Sequence, residues 1–146
     1  MSEDNKNFEP EIIAFLCNWC SSLGADLAGV TRRKYPPNMV PIRVMCSSRV
    51  DPQFVLDALK NGADGVFIGG CYTPTDCHYI NGNFKTLKRV QLIKNILKQL
   101  NIDPRRLRLE WISASDDQKF ARVTKEFVDE IKHLGPLNIK SSGDEL

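Results

Sequence analysis

Ile12-Ile13-Ala14-Phe15-Leu16-Cys17, followed at once by Asn18-Trp19-Cys20-Ser21-Ser22-Leu23-Gly24, decides the fold. An apolar run of strand length with no alternation of polar residues predicts a strand buried on both faces of a parallel sheet. Trp19 to about Lys34 then reads as a helix. Leu23, Leu27 and Val30 recur at helical spacing, Arg32-Arg33-Lys34 suits the negative end of its dipole, and Tyr35-Pro36-Pro37-Asn38 stops it.

The same unit repeats along the chain. Val40 to Cys46 predicts a second strand, with Pro41 near its start, and Asp51-Pro52 opens a helix as cap and first residue. Phe54, Val55, Ala58 and Leu59 form its stripe, and Asn61-Gly62 ends it. Asp64 to Gly70 is a third strand, separated by a long loop, Cys71 to Asn83, from a helix over Phe84 to Leu100. The buried side of that helix is read as Leu87, Val90, Ile93, Ile96, Leu97 and Leu100. Arg106 to Ser113 is a fourth strand. Ser115, Asp116 and Asp117 start a last helix with the stripe Phe120, Val123, Phe127, Ile131 and Leu134. Strands alternating with helices imply right-handed crossovers, hence a single α/β domain with a doubly wound, mainly parallel four-stranded sheet, helices on both faces, flavodoxin-like in plan. Residues 10–135 form this domain, and residues 1–9 and 136–146 are expected to be tails.

Composition excludes several classes of function. The chain has 146 residues, 42% hydrophobic and 26% charged, with Lys+Arg 20 against Asp+Glu 18 and a net charge of +2, so neither a nucleic-acid partner nor a membrane partner is expected. No apolar run approaches the ~20 residues of a membrane span, and the acidic, polar start lacks the features of a secretory signal, which predicts a cytoplasmic protein. Asp144-Glu145-Leu146 is read as a frayed end, not a retention signal. Five cysteines in a reducing compartment point to metal ligation or redox chemistry.

Placed on the predicted architecture, the cysteines converge. Cys17, Cys46 and Cys71 end the first three strands, Cys20 lies one helical turn past Cys17, and Cys77 sits in the loop after Cys71. All five therefore fall on the carboxyl edge where open α/β sheets bind ligands. Thiolates without matching carboxylates or imidazoles favour zinc or an iron-sulfur cluster. The spacing is one C-x-x-C, a lone Cys46 and a C-x5-C, which is neither the paired knuckle of structural zinc nor the run of a ferredoxin. Helix starts past Cys17 and Cys46 would stabilise thiolates, and Gly69 and Gly70 would leave room beside Cys71 for an inorganic core. Trp19, Met45, Tyr72 and Tyr79 could screen it.

Four ligands among five thiols leave one spare. Cys20, on a helix turn, is the weakest candidate ligand, although a chelating C-x-x-C would make Cys46 or Cys71 the outsider. His78, beside Cys77, is either an outer hydrogen-bond donor or an ordinary loop histidine, and Arg49 either faces sulfur or a partner or is simply solvated. Two other readings stay open: a zinc-stabilised adaptor, and a thiol-disulfide oxidoreductase using Cys17 and Cys20 at a helix start. No Walker A loop or G-x-G-x-x-G is present, so no nucleotide site is expected.

Phe15-Leu16-Cys17-Asn18-Trp19-Cys20, Arg43-Val44-Met45-Cys46-Ser47-Ser48-Arg49-Val50-Asp51, Gly62-Ala63-Asp64-Gly65-Val66, Gly70-Cys71 and Asp76-Cys77-His78-Tyr79, in that order and spacing, resemble the delta subunit of methyl-viologen-reducing nickel-iron hydrogenase. The resemblance covers about residues 10–135. It implies a 2Fe-2S protein of methanogenic archaea that relays electrons from the hydrogenase, or from formate dehydrogenase, to the flavin-bearing A subunit of heterodisulfide reductase. That relay would operate inside a larger electron-bifurcating hetero-oligomer. Ser48 stands where that family is expected to carry glycine, and Tyr72-Thr73 replaces His-Pro after Cys71; neither change removes a thiol.

Overall fold

The computed structural model describes residues 7–72 and 77–139; Thr73, Asp76 and Asp144-Glu145-Leu146, read above, lie outside them. Four parallel strands, β1 (Ile12–Cys17), β2 (Met39–Val44), β3 (Gly65–Gly70) and β4 (Leu107–Trp111), form one sheet in the order β2-β1-β3-β4. Four helices alternate with them: α1 (Ser21–Val30), α2 (Pro52–Lys60), α3 (Gly82–Gln99) and α4 (Asp117–Leu134). The fold is the doubly wound α/β plan expected, with helices on both faces.

Strand alternation sorts the core into two layers. Ile12, Ala14, Leu16 and Phe67 turn to one face, where they pack with Ala28 of α1 and with Phe120, Val123, Phe127 and Ile131 of α4. Phe15, Val66 and Ile68 turn to the other, against Val55 and Leu59 of α2 and Val90, Ile93 and Leu97 of α3. β3 is buried throughout and β2, at the edge, mostly exposed, which is why Pro41 is tolerated there. Because β1 feeds β2 on one side and β3 feeds β4 on the other, the carboxyl ends of β1 and β3 flank the switch point of the sheet.

Helix boundaries depart from expectation in informative ways. α1 starts at Ser21 and stops at Val30, because Trp19 and Cys20 form a turn and Arg32 takes a left-handed φ of 56° that ends the helix, with Arg33 N–H reaching Ala28 O at 2.9 Å. Arg33 leaves the helix and pairs with Asp117 at 2.6 Å. The buried face of α1 is small, Ser21, Ser22, Gly24 and Ala28, while Leu23 and Val30 point outward. The cause is close approach: a Cβ on Gly24 would sit 2.7 Å from Ser113 O. α3 starts earlier than Phe84, and Gly82, Asn83 and Thr86 bury its first turn, whereas Leu87 and Leu100 are exposed.

At the end of the sheet opposite the cysteines, Arg106 is buried and donates from Nη1 to Asp64 O and from Nη2 to Gly135 O, both at 2.9 Å. Asp64 in turn accepts from Glu11 N–H at 2.9 Å and Leu137 N–H at 3.1 Å, joining the segments before β1 and after α4. Replacing Arg106 with methionine leaves two buried carbonyls unpartnered, at about 1–3 kcal/mol each. The midpoint of thermal unfolding is expected to fall by roughly 10 °C, with the cysteine edge intact; an unchanged midpoint by calorimetry would show the clasp to be dispensable.

Candidate metal centre

The five cysteines are all free, all buried, and form one cluster of contacts separate from both apolar layers. Cys17 is the last residue of β1, Cys71 follows β3 directly, and Cys20 caps the start of α1, so the switch point brings these three together. Cys71 Sγ lies 2.9 Å from Cys20 Sγ and 3.7 Å from Cys17 Sγ, and the three sulfurs fall within 4.8 Å of one another.

Cys46 does not end β2. It lies two residues beyond Val44 and caps a 3-10 turn over Ser47–Arg49. It meets Cys77 at the first residue of α3. A Cβ built on Gly82 would sit 2.5 Å from Cys46 Sγ and 3.1 Å from Cys77 Sγ, so only glycine fits there. Gly69 and Gly70, the glycines expected to make this room, face other neighbours: Ser21 at 2.8 Å, and Trp111 at 2.8 Å with Ser47 at 3.1 Å. Sequence reasoning missed Gly82 because Asn81-Gly82-Asn83 reads as a turn, not as the start of a helix.

The electrostatics suit sulfur anions. The N-terminus of α3 abuts Cys46 and Cys77, and its free N–H groups carry partial positive charge. Ser48 Oγ donates to Cys46 Sγ at 3.2 Å. Hydrogen bonds from the thiols of Cys20 and then Cys71, reinforced by the Trp19 and Cys20 N–H groups, pull the Cys17 thiol down to about 3. Its two partners move oppositely: Cys20 is pushed up to about 11, chiefly by Cys17, and Cys71 is raised further, by Cys17 and then Cys20. The three sulfurs thus share hydrogen bonds in which Cys17 is the acceptor and its partners keep their protons more tightly. A bound metal would release those protons.

The turn carrying Cys46 is fastened to α3. Ser47 Oγ and Thr86 Oγ1 are 2.7 Å apart, and the Arg89 guanidinium donates to Ser48 O and, at 3.4 Å, to Val50 O. The His78 ring stacks on Trp19 at 3.9 Å between centroids, and Trp19 Nε1–H donates to Tyr79 Oη at 3.3 Å. Trp19, Met45, His78, Tyr79 and Arg49 are exposed, whereas Tyr72 is turned aside, its hydroxyl 2.9 Å from Lys119 Nζ.

The donor set fits a soft metal centre: five buried thiols, close approach at Gly82, and, among the described residues, no carboxylate or imidazole grouped with the sulfurs. Exchange of Cys17 and Cys20 with an external disulfide fits poorly, since their exposures are 1% and 6% and attack requires access.

Fold and site thus define a doubly wound α/β domain whose ligand edge is a cysteine cage. Residues 12–135 match the family described as methyl-viologen-reducing hydrogenase, delta subunit, and the chain belongs to that family. It is 50% identical over 137 residues to the vhc F420-non-reducing hydrogenase iron-sulfur subunit of Methanococcus voltae, covering 94% of each chain. It is 49% identical over 140 residues to the F420-non-reducing hydrogenase iron-sulfur subunit of Archaeoglobus profundus, covering 96% of this chain and 99% of that one. A third relative is the A subunit of the ferredoxin/F(420)H(2)-dependent CoB-CoM heterodisulfide reductase of Methanosarcina acetivorans, 52% identical over 128 residues. That match takes in 88% of this chain but only 16% of the longer protein. Among the described residues no helix is long and apolar enough to cross a membrane.

Proposed function

We propose that the chain is an electron-transfer subunit carrying one 2Fe-2S cluster. In this reading it relays electrons from a nickel-iron hydrogenase, or a formate dehydrogenase, to the flavin-containing A subunit of heterodisulfide reductase, within a cytoplasmic electron-bifurcating assembly. The observation that carries the reading is the convergence of five buried free thiols at the switch point of the sheet. Relatives named as hydrogenase iron-sulfur subunits and as the A subunit of a heterodisulfide reductase support this reading.

Four of the five cysteines are the ligands in this reading, and residues 10–135 are the functional unit. The 2.9 Å approach of Cys20 to Cys71 supports keeping Cys20 among them, which moves the spare thiol to Cys46 or Cys77. The cluster, when bound, supplies reversible one-electron chemistry. The polypeptide does the rest. Its layers exclude water, the α3 N-terminus offsets negative charge at Cys46 and Cys77, and the Ser48 hydroxyl donates to sulfur.

A reductive titration of the anaerobically purified chain tests this: uptake of about one electron per chain, with a paramagnetic reduced state, is expected for such a cluster. A chain that takes up no electron overturns the relay. The same titration tests Ser48. With Cys46 a ligand and Cys77 the spare thiol, Ser48→Ala removes a donor to the more negative state, so its potential is expected to lie below that of the wild type; an equal or higher value would point to Cys46 as the spare.

A further inference from the structure

Beside Cys46 runs an open groove of about 640 Å³, lined by Val44, Met45, Arg49, Phe54, Tyr79 and Lys85 together with Ser48, Gly82 and Arg89. Its apolar members are unusually bare for a monomer's surface: Met45 is 61% exposed, Phe54 49% and Tyr79 47%. Among the described residues its charged members are all cations.

The wall formed by α3 contributes Lys85 and Arg89. Lys85, Lys88, Arg89, Lys94 and Lys98 lie on this helix with no Asp or Glu between Gly82 and Gln99, although the whole chain is only +2. Among the described residues none of the five takes part in an ion pair, whereas Arg33, Arg43, Arg105, Arg108, Arg122 and Lys132 all do. Arg89 is committed to the Ser48 and Val50 carbonyls, which leaves Arg49 and Lys85 to meet something else.

We propose that this groove is the docking surface for a redox-partner protein segment in which carboxylates flank an apolar side chain. The apolar side chain seats against Met45, Phe54 and Tyr79, and the carboxylates meet Arg49 and Lys85. Apolar anchors inside a charged rim are how protein interfaces are built, with the rim charges setting orientation and encounter rate. A small anion is disfavoured because the free cations are exposed along an open groove rather than converging on one buried point. Cys46 lies in the lining itself, so a seated partner comes within reach of the cysteine cage.

The inference deepens the relay reading and rests on it. The test uses the full chain, tagged and isolated in its assembly from its own cells, then treated with a zero-length carbodiimide and digested for mass spectrometry. Lys85 is expected to be joined to an Asp or Glu of a different chain. Arg49→Glu with Lys85→Glu is expected to release that chain at moderate salt, with affinity lower by about tenfold or more, while Lys125→Glu on α4 does not. Iron content, measured in parallel, stays at the wild-type level.

Retention of the partner by the double variant, cross-links confined to lysines of α4, or loss of the bound species on nuclease treatment would each overturn the groove. A chain that holds its partner through Lys85 yet contains no iron would overturn the relay and leave the docking surface standing.

Discussion

Cys71→Ser empties the site. Cys71 is the sulfur that touches both members of the C-x-x-C, at 2.9 Å to Cys20 and 3.7 Å to Cys17, and it follows a strand buried along its whole length. Removal of partners around a ligand costs roughly 10–100-fold in metal affinity, and loss of a central ligand costs more. Iron in the purified variant is expected to fall to background, with the far-ultraviolet circular dichroism unchanged because the two apolar layers lie elsewhere. Full iron occupancy in Cys71→Ser would remove this residue from the ligand set.

The second large effect comes from a residue with no side chain. Gly82→Ala puts a methyl group 2.5 Å from Cys46 Sγ, closer than real contacts come, and 3.1 Å from Cys77 Sγ, which is tight. In the helix alone alanine is favoured over glycine by about 1 kcal/mol, and overpacking costs about 1–3 kcal/mol. The net change in stability of the metal-free chain is therefore small, within about 2 kcal/mol. The loaded chain is different. Cys46 is pinned by the Ser47–Thr86 bond and by the Arg89 contacts, so its sulfur cannot retreat cheaply. Gly82→Ala is expected to lower iron retention sharply at nearly wild-type thermal stability, read by iron assay and calorimetry on the same sample; wild-type retention would show that the cradle is not tight.

These two variants also mark what the sequence could reveal. β1 and β3 were legible because strands covered on both faces are apolar at every position, and α4 because Phe120, Val123, Phe127 and Ile131 keep a regular helical stripe. The edge rule then brought Cys17, Cys20, Cys46, Cys71 and Cys77 to one side of the sheet, and the fold bears out that convergence. The buried face of α1 was not legible from apolar periodicity. The helix packs too closely for large residues, so its inward positions are Ser21, Ser22, Gly24 and Ala28, and its leucine at 23 faces solvent.

The internal arrangement of the cage was also hidden. Grouping Cys17, Cys20 and Cys71 apart from Cys46 and Cys77 depends on where the start of α3 packs, and Asn81-Gly82-Asn83 carries turn signals that conceal a helix start. The excess of cations on α3 was present in the sequence all along. It was masked by averaging, since twenty basic residues against eighteen acidic ones look balanced until α3 is counted alone.

An electron relay of this kind requires a cluster with inorganic sulfide, which no other reading of the thiols requires. Anaerobic purification of the full chain followed by iron, zinc and acid-labile sulfide assay tests this most directly. About two irons and two sulfides per chain are expected; a colourless protein holding zinc and no sulfide would contradict the relay.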